Sequence, residues 1–73
     1  MKIIKKYYRT KNKINCEIHS TTCNTFESIC NLVSIAKTDF PHLQDTDIRV
    51  TSHSIIFNVG ENTELPDEYK LVT

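Results

Sequence analysis

From Ile14 to His19 the chain alternates strictly, with Ile14, Cys16 and Ile18 on one side and Asn15, Glu17 and His19 on the other. A period of two is what a half-buried strand requires, because successive side chains leave its backbone in opposite directions. Upstream, Ile3 to Arg9 is rich in β-branched and aromatic residues, and Lys11-Asn12-Lys13 offers turn chemistry. The two runs predict a hairpin. Its first strand carries Lys5 and Lys6, one charge per face, which suits an edge strand because lysines there discourage pairing with other chains.

The rhythm changes after Ser20, Thr21, Thr22 and Asn24, a polar stretch of helix-starting residues. Asn24-x-x-Glu27 has capping-box spacing, with Asn in place of the usual Ser or Thr. From Thr25 the apolar positions Phe26, Ile29, Cys30, Val33, Ala36 and Phe40 recur at helical intervals, with Leu32 and Ile35 beside that stripe. Pro41 disfavours helical angles at Phe40, so the helix should end near Thr38 or Asp39. A polar link from His42 to Asp47 follows, and alternation then resumes. Ile48 and Val50 share a face, as do Ile55, Phe57 and Val59 beyond a tight connection at Ser52-His53-Ser54. Gly60 closes this strand, residues 61 to 68 are acidic and contain Pro66, and Tyr69 to Val72 either form a short fifth strand or dock on the core.

The reading is an α+β fold of ββαββ order, with one helix on one face of an antiparallel sheet of four strands or five. Its expected core is Ile14, Cys16, Ile18, Phe26, Ile29, Cys30, Val33, Ala36, Ile48, Val50, Ile55, Phe57 and Val59. At 73 residues the chain is read as a single domain, residues 1–73. A chain of this size buries only about 60% of its unfolded surface, which leaves few residues to wall a deep pocket. That favours work through a surface, or through pairing with a second copy, over catalysis. No apolar run approaches the ~20 residues of a membrane span, and the N-terminus does not read as a secretory signal.

Cys16, Cys23 and Cys30 are an odd number of cysteines, which points to free thiols in a reducing, cytoplasmic setting. Cys16 and Cys30 are expected in the core, where small thiols are common. A zinc site from Cys16, His19 and Cys23 is disfavoured because residues 16 and 19 of a strand point to opposite faces, and His42 and His53 fall in separate loops. Cys23, just ahead of the helix, is the best nucleophile candidate, but spacing identifies no orienting carboxylate. No catalytic residue, metal or cofactor is assigned.

Charge changes the picture more. Nine Lys and Arg balance nine Asp and Glu over the whole chain, yet residues 1–13 carry +6 and the remainder −6. Two partner-binding segments follow. The basic one is Lys5, Lys6, Tyr7, Tyr8, Arg9, Lys11 and Lys13, in which bases interleave with aromatics as they do on nucleic-acid-binding surfaces. The acidic one is Glu61, Glu64, Asp67 and Glu68, suited to a partner's basic groove in the manner of a nucleic-acid mimic. In architecture alone, with no diagnostic motif, the layout resembles many small phage-encoded proteins that block host factors, anti-CRISPR proteins among them. That resemblance implies a binding inhibitor and assigns no residues.

The resulting expectation is a non-catalytic protein-binding module that inhibits or modulates a larger protein or ribonucleoprotein complex handling nucleic acid. A nucleic-acid-binding regulator using the basic first strand is the alternative, and an accessory structural subunit a third. A homodimer joined along the first strand's edge or across the sheet's open face is compatible with each.

Overall fold

The structure is a computed structural model that describes residues 2–21 and 26–72. Its first hairpin pairs β1 (Ile3–Thr10) with β2 (Lys13–Ser20) in antiparallel register, from Ile3 opposite Ser20 to Thr10 opposite Lys13, leaving Lys11 and Asn12 as the connection. Alternation along β2 buries Ile14, Cys16 and Ile18 to within 1% of complete coverage. The helix α1 (Phe26–Asp39) follows, with Glu27 in its first turn and Lys37 in its last, both favourable to the helix dipole. Pro41 ends it as expected. Asn24 and Cys23 lie outside the described residues, and with them the capping box and the candidate nucleophile.

A 3-10 turn at Asp45–Asp47 leads into β3 (Ile48–Val50) and β4 (Ser54–Gly60), joined through Thr51, Ser52 and His53. Thr51 and Ser54 hold that turn together: the Thr51 amide donates to the Ser54 carbonyl at 2.8 Å, and the Ser54 amide donates to Thr51 Oγ1 at 3.0 Å. The last strand, β5 (Lys70–Leu71), is only two residues long. The sheet has five strands in the order β3-β4-β2-β1-β5. The α+β class with one helix on one face is therefore the observed architecture.

Two features of the sheet differ from expectation. β5 runs parallel to β1, pairing Lys6 with Lys70 and Tyr7 with Leu71, so the sheet is mixed and not wholly antiparallel. As a consequence β1 is not the sheet's outermost strand. The chain from 61 to 68 returns past the end of β4, and a turn in which the Tyr69 amide donates to the Pro66 carbonyl sends residues 70–72 alongside β1. The Val72 amide then donates to the Tyr7 carbonyl at 2.8 Å.

The core lies between α1 and the sheet face that carries Ile14, Cys16, Ile18, Ile55 and Phe57. Three expected members are outside it: Phe26 is 85% exposed, Val50 is 58% exposed, and Cys30 is exposed. The helix turns a different stripe inward. Leu32 and Ala36 are fully buried, with Ile29, Val33 and Ile35 packed partly against the core, so the stripe is centred one position away from Phe26 and Cys30. Val50 fails for another reason. The helix crosses β2 and β4, and the end of the edge strand β3 extends beyond its cover. Phe40, Leu43 and Tyr69 take the vacated places, with Phe40 edge-on to both Phe57 and Tyr69 at 5.5 Å between ring centres.

Candidate functional site

Strand alternation divides the basic first strand between two environments. Lys5 pairs across with Ile18 and faces the helix. Its Nζ lies 2.9 Å from Asp39 Oδ2 at the helix end and 3.0 Å from Glu68 Oε2, with 11% of the side chain exposed. The Tyr69 hydroxyl donates to the same Asp39 oxygen at 2.9 Å. Burial pulls the Lys5 ammonium down, but the hydrogen bonds and charges of Asp39 and Glu68 outweigh it, and the pKa is raised overall. Tyr69 is held protonated by burial first and by its bond to Asp39 second. Lys5 is thus a component of an internal ionic cluster and presents no free charge to a partner.

Arg9 shares the helix-side face. Its guanidinium sits 5.8 Å from the half-buried Tyr7 ring, and its Nη1 donates to the Glu61 carbonyl at 3.4 Å. The acidic segment therefore returns onto the basic strand, with Glu68 on Lys5 and the Glu61 backbone on Arg9. The two segments that are separate in sequence meet in space, joined by one ion pair, Lys5–Glu68, and by the Arg9 bond to the Glu61 backbone. Glu61, Glu64 and Asp67 remain exposed. Glu64 borders a cleft of about 340 Å³ with Asp47 and His42 at its rim and Phe40, Leu43 and Val59 among its apolar lining.

The other face of the sheet has no helix over it among the described residues. There the register assembles side chains from all five strands. Lys70, Lys6, Glu17, Ile56 and Arg49 stand in one row across β5, β1, β2, β4 and β3. Tyr8, Asn15 and Asn58 form the next row, and Lys13 lies in the row beyond, beside the exposed turn residue Lys11. Among the strand residues of this face, Lys6, Lys13, Arg49 and Lys70 stand against a single carboxylate, Glu17. Lys6 reaches Glu17 Oε1 at 3.2 Å, and Glu17 Oε2 accepts a hydrogen bond from the buried Ser54 hydroxyl at 3.1 Å. Tyr8 is 51% exposed. A shallow depression of about 210 Å³ is lined by Lys6, Tyr8, Asn15, Glu17, Ile56 and Val72.

Of the predicted basic set, the fold thus places Lys6, Tyr8 and Lys13 together on this face, keeps Lys11 at its border, and removes Lys5, Tyr7 and Arg9 to the other side. It adds Arg49, Asn58 and Lys70. The alternation Ile48-Arg49-Val50 already turns Arg49 away from the apolar side, but only strand order brings it into line with Lys6.

Cys16 and His19 point to opposite faces, and among the described residues no group of three or more His, Cys, Asp or Glu side chains converges on a metal-sized site. Burial raises the Cys16 thiol to about 11, which keeps it protonated and inert at neutral pH. No described helix is long and apolar enough to cross a membrane. No family model matches the chain, and no curated protein and no solved structure does so either.

Proposed function

We propose that this chain is a small non-catalytic binding module, a stoichiometric modulator of a larger nucleic-acid-handling complex, which it engages through the uncovered face of its sheet. The observation that supports this reading is the composition of that face: it carries Lys6, Lys13, Arg49 and Lys70 together with the half-exposed Tyr8, and among its described strand residues Glu17 is the one carboxylate. An open sheet face with an exposed aromatic among cations suits docking, because the aromatic supplies buried contact area and the charges orient the encounter. In the acidic segment Glu68 pairs with Lys5, and Glu61, Glu64 and Asp67 are exposed. The ribonucleoprotein partner and a phage-type inhibitory role belong to the same proposal.

The test compares tagged wild-type protein with an Arg49→Glu/Lys70→Glu variant in affinity capture followed by mass spectrometry. Both positions are exposed, and circular dichroism of the variant should match wild type. The expected result is capture of the subunits of one nucleic-acid-handling assembly in fixed ratio, lost in the variant. Capture that is indifferent to the charge reversal, or recovery of no such assembly, overturns the reading.

A further inference from the structure

The face just described has a chemistry of its own that narrows what can lie on it. Resting on the reading that this face is the docking surface, we infer that its ligand is a single strand of nucleic acid, held by its phosphates and stacked on Tyr8.

The cations are arranged as a border. Strands lie about 4.8 Å apart, so the row from Lys70 through Lys6 to Arg49 extends about 19 Å across the sheet. Lys13, with Lys11 beside it, flanks the opposite side of the Tyr8-Asn15-Asn58 row. A polyanion crossing the strands meets positive charge on both sides of an aromatic ring. Lys6 does not detract from this. Its pair with Glu17 is a surface contact, with 43% and 31% of the two side chains exposed, and such pairs contribute little and exchange readily for a phosphate.

The centre between the cations suits bases. Tyr8 offers a ring to stack on, and a stacked base needs no particular sequence. The exposed Asn58 amide carries both donor and acceptor, and Asn15, whose Nδ2 donates to Thr10 Oγ1 at 3.1 Å, retains its carbonyl oxygen. An acidic protein would answer the same charges, but interface cores are usually built on several apolar or aromatic anchors. Here Tyr8 has amides and cations around it, with Ile4, Ile56 and Val72 as its apolar company, a small apolar area beside the charged border. A duplex is disfavoured by shape: reading its major groove takes a projecting helix or a two-stranded ribbon, whereas this face is a five-stranded sheet.

The residue set differs from the one that the sequence suggests. A strand read along its length proposes Lys5 and Arg9 as phosphate contacts, whereas the folded chain commits both to the other face. The face is built instead from all five strands, which come from three stretches far apart in sequence: the β1–β2 hairpin, the β3–β4 hairpin and β5.

Fluorescence anisotropy of a labelled oligothymidylate, measured over a salt series, tests the inference on the whole chain. Neutralisation of three or four phosphates gives a slope of log K against log salt of about −2 to −3. Arg49→Ala/Lys70→Ala should make that slope shallower by about 1.4, the counterion term for two phosphates on a single strand. Tyr8→Ala should weaken binding about tenfold with the slope unchanged. Lys37→Ala, on the helix, should change neither. No binding at low salt, a slope indifferent to the double variant, or tighter binding to the matching duplex overturns the inference. If the oligonucleotide does not bind while affinity capture still depends on Arg49 and Lys70, the docking face stands and its ligand is an acidic protein. If neither depends on them, both readings fall.

Discussion

Lys5 occupies a position where the strand pattern alone calls for an apolar residue, and the reason it is tolerated lies thirty-four residues away at Asp39. A lysine facing a core must have its charge met, and here Asp39 and Glu68 meet it while the Tyr69 hydroxyl donates to the same Asp39 oxygen. The cluster predicts an order of effects. Asp39→Ala leaves a mostly buried ammonium short of its nearer partner and should cost about 3 kcal/mol, whereas Tyr69→Phe loses one hydrogen bond and should cost about 1 kcal/mol. Urea denaturation of the two variants checks the ranking. Equal losses would mean that the Lys5–Asp39 pair contributes no more than the tyrosine hydroxyl.

Among the elements, the helix shows how a correct period can be read with the wrong phase. Phe26, Ile29, Cys30, Val33 and Leu32 all fit a 3.6-residue repeat, and the inward stripe can be centred on either side of them. The fold centres it on Leu32 and Ala36. Phe26→Ser should therefore change stability by no more than about 0.5 kcal/mol, while Leu32→Ala should cost about 3 kcal/mol through lost contacts and a residual cavity. Thermal melts of the pair read this directly, and a large loss at Phe26 would contradict the phase. β5 is similarly indirect. It has two residues and little pairing of its own, and it is held beside β1 because Tyr69, just before it, is anchored against Phe40 and Asp39.

At the scale of the whole molecule, the groups whose pKa values are raised all act in one direction. Cys16 is lifted by burial from an ordinary 9.0 to about 11, Lys5 is lifted above 10.5, and Tyr69 above 10.0. Each folded state holds its proton more tightly than the unfolded chain does. The stability they contribute is complete below the unfolded values and is lost as pH rises through the folded ones. The melting temperature should thus be insensitive to these groups from neutral pH to about pH 9, then fall, with Cys16 giving the first loss. Cys16→Ala should move the onset to about pH 10, as followed by circular dichroism. An onset that stays near pH 9 in that variant would assign the loss to other groups.

The sequence by itself determined the elements. Strict alternation at Ile14–His19 and the every-second-residue run Ile55, Phe57, Val59 suit strands with one buried face, the helical recurrence before Pro41 suits an amphipathic helix, and their order makes an α+β layout with one covered sheet face. Those signals are local, because the periods of side-chain direction are properties of the backbone over a few residues. Which of the charges stay on the surface is not local. The run Lys5-Lys6-Tyr7-Tyr8-Arg9 reads as one basic patch until the pleat sends alternate members to opposite sides. Lys5 then finds Asp39 and Glu68, and Lys6 finds a row shared with Lys70 and Arg49. Strand order and the return of the C-terminal segment decided that outcome. Both depend on contacts between residues tens of positions apart, where loop closure and packing of Tyr69, not periodicity, set the arrangement. Packing thus drew Lys5 into a cluster with Asp39 and Glu68 on the helix side and left Lys6, Arg49 and Lys70 aligned on the other face.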